Sequence, residues 1–307
     1  MIIKPSSLGD VIHALRVVSV LRENLPGARI DWVIRKGLEP IIESSGIIDR
    51  VFLFERGGGL GKFLRLGKLL KAQGYDYVLD LQGLLRSALL VLMSGGKKKY
   101  GRADGRELSP FFYKGLGSPS RKLKAHAIER LIPFLKPFIG NQVGNGMKLT
   151  FDASKMSKTL ETRISSTRNK VMLFPESRRE EKVWPHFPAL AKKITSSGIA
   201  DVLVCGNNKS EPWPNVIDLR GQVDLDELPD LVGHATLVVS NDSAPLHLAS
   251  AMQRPVIGLF GPTSEERYGP YPTKDRKSLS ISSKGGKIEE IEVKTVFDQI
   301  RELLNLA

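Results

Sequence analysis

The sequence predicts an α/β protein with two Rossmann-like, doubly wound domains that face a cleft. Three observations predict this class. Short apolar runs alternate with amphipathic helical patterns along most of the chain, which is typical of parallel sheets crossed by helices. The alternation occurs twice, on either side of a Ser-, Thr- and Lys-rich stretch over residues 151–169. The length of 307 residues also exceeds what a single hydrophobic core usually organises.

In the first half, apolar runs predict strands, and the stretches between them have helical character. The predicted strands cover residues 29–34, 51–54 and 75–81. An amphipathic helix is predicted over residues 11–25, where Pro26 and Gly27 end it. The segment 95–106 is rich in glycine and charged residues and is predicted to be a loop.

The second half repeats the alternation. Its predicted strands cover residues 170–174, 202–205, 236–240 and 256–260. Its predicted helices cover residues 187–196, 225–233 and 246–252. We therefore expect a first domain over residues 1–152 and a second over 153–307. Residues 289–306 have the apolar spacing of an amphipathic helix, which could pack back across either domain, including the first.

Charge is the strongest feature of the composition. The chain has 46 Lys and Arg against 33 Asp and Glu, a formal net charge of +13. Nucleic acid, an anionic membrane surface or a phosphorylated substrate would each suit such a charge. No nucleic-acid-binding module is evident and aromatic residues are scattered, so we expect no nucleic-acid partner. No apolar run approaches the roughly 18–20 residues that a membrane span needs.

Cysteine usage limits the chemistry further. Cys205 is the only cysteine, which excludes an internal disulfide framework and a zinc site with several cysteines. A single thiol also suits a reducing cytoplasm. The amino terminus turns polar too early for a secretory signal, so we expect a cytoplasmic protein.

The first candidate site is the loop over residues 4–13, between a short strand and a helix. Gly9 allows close backbone approach, and the start of the helix offers amides to an anion. The loop has neither the Walker ending nor the dinucleotide fingerprint. Asp10 has two interpretations at this position. It is either the N-cap of the helix or a carboxylate that acts as a general base.

The second candidate site is the segment 240–247, which follows an apolar strand and opens a helix. Its first amides, at Ser243 and Ala244, are predicted to meet a pyrophosphate with the positive end of the helix dipole behind them. Asp242 and His247 have ordinary structural interpretations as a cap and a helix residue. Because small and polar residues follow the strand end, ligand contact is favoured.

Two more loops follow strands of the second domain. Residues 174–185 mix cations with a tryptophan, and Lys182 is the candidate point charge on a diphosphate. Gly261 and Pro262 predict a turn after the strand 256–260, which has a purely structural interpretation as well. The pair Asp224 and Asp226 resembles a metal-binding Asp-x-Asp. An N-terminal capping box with Glu227 is favoured instead, so no metal is predicted.

Basic residues cluster in the first half beyond what solubility needs, and they predict an anionic acceptor on this domain. The cluster comprises Arg56, Lys62, Arg65, Lys68, Lys71, Arg86, Lys97, Lys98, Lys99, Arg102, Arg106, Arg121, Lys122 and Lys124.

Six short motifs, in order along most of the chain, resemble one family. They are KPSSLGDVIH at 4–13, DYVLDLQGL at 76–84, HAIER at 126–130, KVWP at 182–185, NDS at 241–243 with His247, and GLFGPT at 258–263. Together they resemble the ADP-heptose:lipopolysaccharide heptosyltransferases of glycosyltransferase family 9, which have the GT-B fold. The opening motif is more similar to the heptosyltransferase I version than to the II version. Ala244 departs from the family, which often has glycine there.

The resemblance implies roles for individual residues. Asp10 matches the catalytic base, Lys182 the lysine near the donor phosphates, and Asp242 the residue that holds heptose hydroxyls. The remaining donor-side matches are Ser243, Ala244 and His247 along the diphosphate, Ser177 beside the donor, and Val223 near adenine. Arg106 and Arg130 match basic positions on the acceptor side. Ser7 and Arg56 are further candidate acceptor contacts.

The resemblance also implies the reaction and the partners. The second domain would bind ADP-heptose and the first the anionic Kdo-lipid A inner core. Heptose would pass to a Kdo hydroxyl with inversion, with Asp10 as base and without a metal or other cofactor. The positive charge would hold the enzyme peripherally on the cytoplasmic face of the inner membrane.

Three alternatives remain open from the sequence. The first is another family 9 transferase, of heptosyltransferase II or III type or for a different sugar. The second is a non-catalytic protein that binds a nucleotide sugar or a polyanion, which the charge would also suit. The third is a nucleotide-sugar epimerase on a similar two-domain scaffold, although the basic first domain argues against it.

Overall fold

The computed structural model describes residues 1–118, 124–140, 147–152, 155–208, 211–273 and 275–306. Arg121 and Lys122 of the predicted basic cluster lie outside these ranges. The chain divides into two compact units, Met1–Leu149 and Thr150–Ala307.

The first unit is a six-stranded parallel sheet with helical crossovers. Its strands are β1 Ile2–Ile3, β2 Asp31–Arg35, β3 Arg50–Phe54, β4 Tyr77–Asp80, β5 Lys98–Arg102 and β6 Lys114–Leu116. Its helices are α1 Leu8–Asn24, α2 Glu39–Glu43, α3 Gly59–Lys71, α4 Leu85–Met93 and α5 Lys136–Ile139, with 3₁₀ turns at Ser109–Phe112 and Ile132–Phe134. The strand order is β3-β2-β1-β4-β5-β6, so the short strand β1 lies at the centre of the sheet.

The second unit has the same plan. Its strands are β7 Lys170–Phe174, β8 Asp201–Val204, β9 Ile217–Asp218, β10 Leu237–Asn241, β11 Val256–Phe260 and β12 Ser278–Ser282. Its helices are α6 Lys158–Arg163, α7 Phe187–Ser197, α8 Leu228–Gly233, α9 Ala244–Ala251, α10 Glu265–Tyr268 and α11 Val293–Leu306, with 3₁₀ turns at Glu180–Lys182 and Ile288–Glu290. The order β12-β11-β10-β7-β8-β9 repeats that of the first unit when strands are counted within each unit.

Both sheets therefore have the Rossmann order 3-2-1-4-5-6. The doubly wound α/β class that the alternation of apolar runs and helices predicted is confirmed. Burial explains why the strands are so apolar, because helices cover both faces of a parallel sheet. All five residues of β10 and of β11 are buried. In the first unit, one core cluster joins Ile3, Val33 and Val78 of the sheet to Leu66 and Leu70 of α3.

Three local predictions were wrong. The segment 95–106 is not a loop, because Lys98–Arg102 forms β5 and pairs with β4 through its backbone, whatever its charged side chains prefer. The helix predicted over 225–233 begins only at Leu228, after a turn. The predicted terminal helix starts at Val293, after a 3₁₀ turn that ends at Glu290.

The terminal helix α11 packs within the second unit. Its apolar residues Val296, Phe297, Ile300 and Leu303 belong to the core cluster that also contains Phe187 of α7. Burial of one apolar stripe of α11 against α7 is what its amphipathic spacing requires. Among the helices that the structure describes, none combines the length and the apolar character of a membrane span.

Candidate functional site

Most of the candidate residues lie near the topological switch point of each sheet, which is the place where the strand order reverses. In an open sheet of this order, ligands bind beyond the carboxyl ends of the strands where the strand order reverses. These points lie between β1 and β4 in the first unit and between β7 and β10 in the second. The segments that follow these strands contain Asp10 and Gln82 in the first unit, and Lys182 and Asp242 in the second.

Asp10 lies in the first turn of α1 and is half-exposed. The N-cap residue is Ser7, so the interpretation of Asp10 itself as the N-cap was wrong. The carboxylate Oδ2 atom of Asp10 accepts hydrogen bonds from the Ser7 hydroxyl at 2.8 Å and from the Ser7 amide at 3.3 Å. The side chain keeps 46% of its surface exposed. Ser7 thus orients a carboxylate that solvent and substrates can still reach.

A buried lysine lies behind Asp10. Lys4 follows β1, and its ammonium lies 3.9 Å from the Asp10 carboxylate. Burial lowers the pKa of Lys4, while the negative charges of Asp10 and Asp80 act in the opposite direction. The Lys4 side-chain nitrogen therefore lies close to the same Oδ2 atom of Asp10 that Ser7 orients.

Asp80 closes β4 on the other side of the switch point and is fully buried. Its carboxylate accepts hydrogen bonds from the Gln82 amide at 2.9 Å, the Gly83 amide at 3.1 Å and the Ser87 hydroxyl at 2.8 Å. Burial raises the pKa of Asp80 to about 6, although these donors oppose the rise. Asp80 therefore shapes the loop after β4 and its acidity is weakened.

The candidate acceptor residues have different surroundings. Arg106 is exposed, and its amide donates to the Gly83 carbonyl at 2.8 Å, so it lies beside the loop after β4. Arg130 is only 6% exposed and pairs with Asp104, which also accepts from Arg102 at 2.8 Å. Arg56 is exposed after β3, two strands from β1, or about 10 Å across the sheet.

The Asp104 carboxylate holds the side chains of Arg102 and Arg130. Burial alone would raise the pKa of Asp104, but hydrogen bonds and charge from Arg102, with the charge of Arg130, lower it. Both guanidinium groups therefore share one ionised carboxylate. In this structure Arg130 supports Arg102 and the loop after β5, whereas Arg106 presents its side chain to solvent.

In the second unit, Asp242 is buried and held by three side chains. Its Oδ2 atom accepts from the Lys182 ammonium at 2.6 Å and from the Thr263 hydroxyl at 2.7 Å. The His247 Nε2 atom lies 3.7 Å from Oδ1. The loops after β7, β10 and β11 therefore meet at one carboxylate. Lys182 also lies over the Tyr268 ring, 5.9 Å from its centre.

The start of α9 lies next to this ion pair. Ser243 is the extended N-cap residue, and Ala244 is the first residue of the helix. The first turn of a helix leaves amides without intrahelical partners, which suits a phosphate. Asn241 fixes the approach of the chain, since its side chain accepts from the Trp184 amide at 3.1 Å and donates to the Pro175 carbonyl at 2.9 Å. The strand end and the Lys182 loop are thus tied together.

Two further candidate donor residues lie in loops of the second unit. Ser177 is half-buried in the loop after β7, and Val223 is half-buried in the turn before α8. In the same region Glu176 accepts from the amides of Asn207 and Asn208, both at 2.9 Å, which joins the loops after β7 and β8.

The acidic pair Asp224 and Asp226 is part of a turn. The Asp224 amide donates to the Glu227 carboxylate at 2.9 Å, but α8 begins at Leu228 with Glu227 as its N-cap, so Asp224 does not cap this helix as the favoured capping box required. Within the described ranges, no three His, Cys, Asp or Glu side chains are grouped in a way that would hold a metal ion.

Several residues of these sites were not assigned from the sequence. They are Lys4, Asp80 and Thr263, which lie within the motifs at 4–13, 76–84 and 258–263. The position of Asp80 was the available signal, because it ends an apolar strand as Asp242 follows one. Thr263 had no signal, since it reaches Asp242 only through the neighbouring strand β11.

The fold is that of the GT-B class of glycosyltransferases. The solved structure of the Escherichia coli heptosyltransferase WaaC with ADP matches with a TM-score of 0.81, covers 98% of each chain, and is 24% identical in sequence. The chain belongs to the family described as glycosyltransferase family 9 (heptosyltransferase), which matches residues 63–295.

Curated relatives agree with this family. Lipopolysaccharide heptosyltransferase 3 of Escherichia coli strain K12 is 26% identical over 284 residues, which is 86% of this chain and 82% of the relative. Lipopolysaccharide heptosyltransferase 1 of the same strain is 26% identical over 293 residues, which is 88% of this chain and 90% of the relative. Types 3 and 1 are thus equally similar to this chain.

Proposed function

We propose that this enzyme transfers heptose from ADP-heptose to a Kdo hydroxyl of the lipopolysaccharide inner core, with inversion. The observation that carries the proposal is the contrast between two carboxylates. Asp10 is half-exposed and oriented by Ser7, as a general base must be, whereas Asp242 is buried and paired with Lys182.

The proposed reaction is a single displacement. The Asp10 carboxylate takes the proton of the acceptor hydroxyl while that oxygen forms a bond to the anomeric carbon. The bond from this carbon to the phosphate oxygen breaks, and ADP leaves with the electron pair. General-base assistance of this kind contributes about 10²–10⁴ in rate.

The leaving group needs positive charge, and the second unit offers it. Lys182 and the first amides of α9, at Ser243 and Ala244, stabilise the negative charge that builds on ADP. Asp242 holds heptose hydroxyls, and His247 lies along the diphosphate. Ser177 and Val223 are further proposed contacts of the donor. We propose that this arrangement works without a metal ion.

The acceptor is proposed to bind the first unit through its basic side chains. Arg106 is exposed beside the loop after β4 and is the foremost candidate for a Kdo carboxylate. Ser7 and Arg56 are further contacts. Arg130 is a further proposed contact, and its guanidinium is held beside Arg102 by Asp104.

We also propose that the enzyme binds peripherally to the cytoplasmic face of the inner membrane, where a lipid-anchored acceptor is found. The formal charge of +13 supports this location. Each basic residue close to an anionic leaflet contributes about 1 kcal/mol to binding.

The test is ADP release by the purified protein from ADP-heptose, with and without Kdo-lipid A, in the presence of a chelator. Release that requires the acceptor and survives chelation is expected. Release without the acceptor would instead indicate hydrolysis or an epimerase-like use of the donor. Equal turnover with later-core acceptors would favour another family 9 transferase, and binding without turnover a non-catalytic protein.

A further inference from the structure

Among the residues that the structure describes, large exposed apolar side chains are confined to one layer of the first unit. All eight large apolar residues that are exposed within the described ranges lie between positions 53 and 111. They are Leu53, Leu60, Leu64, Leu69, Leu85, Leu92, Leu108 and Phe111. These residues belong to β3, α3, α4 and the segment around the 3₁₀ turn Ser109–Phe112. A soluble monomer rarely concentrates its apolar exposure in one region without a binding partner.

Helix α3 contributes the largest part of this exposure. Its inner side packs Leu66 and Leu70 into the core of the unit. On its outer side, Leu60 is 72% exposed and Leu64 is 45% exposed. These two leucines are four residues apart, so they lie next to each other on the helix surface. The pair forms an apolar ridge that points away from the sheet.

Positive charge surrounds this ridge. Residues 56–71 contain five basic residues and no acidic one. Lys68 and Lys71 continue the line of Leu60 and Leu64 at the same helical spacing. We call the outer residues of α3 the apolar–basic face, which comprises Leu60, Lys62, Leu64, Arg65, Lys68, Leu69 and Lys71. The exposed surface of α3 carries leucine and basic residues, while its opposite side is buried in the protein core. Such an exposed surface has the composition of an interfacial membrane helix.

The charge of the whole chain is placed on this unit. Residues 1–149 contain 25 basic and 12 acidic residues, so they account for the entire formal charge of +13. Residues 150–307 contain 21 basic and 21 acidic residues and are neutral. An anionic surface would therefore attract the first unit specifically.

The apolar exposure also borders the proposed acceptor residues. Leu108 is 67% exposed and follows Arg106 by two positions, and Phe111 is 84% exposed in the adjoining 3₁₀ turn. This turn packs against α4, and α4 packs against α3. A lipid-anchored acceptor bound at Arg106 would bring its bilayer to this same layer.

We propose that the apolar–basic face of α3 docks on an anionic phospholipid bilayer, with Leu60 and Leu64 inserted below the headgroups and the basic side chains on the phosphates. The inference deepens the proposed function, on which the lipid-anchored acceptor rests. A second copy of this chain fits less well, since each face has four cations, of which only Lys62 is paired with a carboxylate of the described chain, that of Glu55, and two such faces would repel each other. Nucleic acid would use the cations and leave the leucines unexplained.

The experiment is flotation of the full chain with vesicles, without donor or acceptor. Vesicles of phosphatidylglycerol and phosphatidylethanolamine are compared with vesicles of phosphatidylcholine. Each comparison is made at low salt, about 0.05 M, and at high salt, about 0.5 M. Wild type is expected to bind the anionic vesicles and to keep a salt-resistant part of this binding. Charge alone would be screened at the higher salt, whereas insertion of leucine persists.

Matched variants separate the two contributions. Leu60→Ser with Leu64→Ser is expected to abolish the salt-resistant part, with about a tenfold loss of partition per leucine. Lys68→Gln with Lys71→Gln is expected to lose about fivefold per charge at low salt. The control, Lys284→Gln with Lys287→Gln, removes the same charge from exposed positions of the neutral unit and is expected to bind as wild type does.

Three results would overturn the proposal. They are wild-type binding by the leucine variant at high salt, equal binding to phosphatidylcholine, and a dimer in light scattering that the leucine changes convert to a monomer. Transfer to an acyl-free Kdo acceptor should be unchanged in the leucine variant. Failure of transfer in wild type would refute the proposed function alone, because flotation does not depend on turnover.

Discussion

The two units place an aspartate at the end of their fourth strand, and the partners of these two residues differ. Asp80 ends β4 and is surrounded by amides and a hydroxyl, so burial raises its pKa to about 6. Asp242 follows β10 and is paired with Lys182. The same topology thus produces a structural acid in one unit and a charged site in the other. The comparison teaches that the first unit relies on a different residue, Asp10, for an accessible carboxylate.

The units also differ in surface. The first unit has the entire net charge and all the exposed large apolar residues of the described chain, and the second is neutral. In the second unit the Lys182–Asp242 ion pair lies among the candidate donor residues. This difference fits a first unit that meets an extended anionic partner and a second that encloses a small ligand.

The largest expected effect tests the accessible carboxylate. Asp10→Asn keeps the shape and the Ser7 contact but removes the base, so kcat should fall about 10²–10⁴-fold. The dissociation constant for ADP, measured by calorimetry, should not change, because Asp10 belongs to the first unit. Turnover close to wild type would show that Asp10 is not the base. The difference in exposure between Asp10 and Asp242 would then have no catalytic meaning.

Loss of the buried ion pair between Lys182 and Asp242 should weaken ADP binding, which Asp10→Asn should leave unchanged. Lys182→Ala leaves the buried Asp242 charge without its cation, and we expect the second unit to lose about 3 kcal/mol of stability. The affinity for ADP should fall about 10- to 100-fold, because a charge-assisted contact to phosphate is lost. Thermal unfolding and calorimetry measure the two effects.

A double variant sharpens this test. Adding Asp242→Asn to Lys182→Ala removes the uncompensated charge and should restore most of the stability while ADP affinity stays low. If the single change left ADP affinity intact, Lys182 would be a structural cation only. If the double variant were less stable than the single one, the loss of stability would not come from the unpaired charge.

The smallest expected effect concerns Asp80. Its pKa of about 6 in the folded protein exceeds the roughly 3.9 of an unfolded chain. Between these values the folded state binds more protons, so this carboxyl's contribution to the free energy of unfolding falls as pH rises, by up to about 3 kcal/mol. Relative to wild type, Asp80→Asn should therefore gain stability between pH 4 and pH 7.

Hydrogen exchange of first-unit peptides at increasing urea concentration measures this stability at each pH. A difference between Asp80→Asn and wild type that does not change with pH would contradict the raised pKa. The comparison of the two fourth-strand aspartates would then rest on geometry alone.

The strand pattern was readable because burial imposes it. β7 and β11 have the predicted bounds, since both faces of a parallel sheet are covered and the runs are continuously apolar. β5 was missed for the opposite reason. Its sequence Lys98–Arg102 is polar, and only pairing with β4 and β6 makes it a strand.

By itself, the sequence determined two Rossmann-like halves, a basic first domain and the loops that carry Asp10, Lys182 and Asp242, because periodicity, charge and strand-end position are local properties. The tertiary structure decided which side chains meet. Thr263 reaches Asp242 from another strand, Arg130 is turned toward Asp104, and Leu60 and Leu64 face outward rather than into the core. Each of these facts depends on contacts between distant segments, and no local pattern records such contacts.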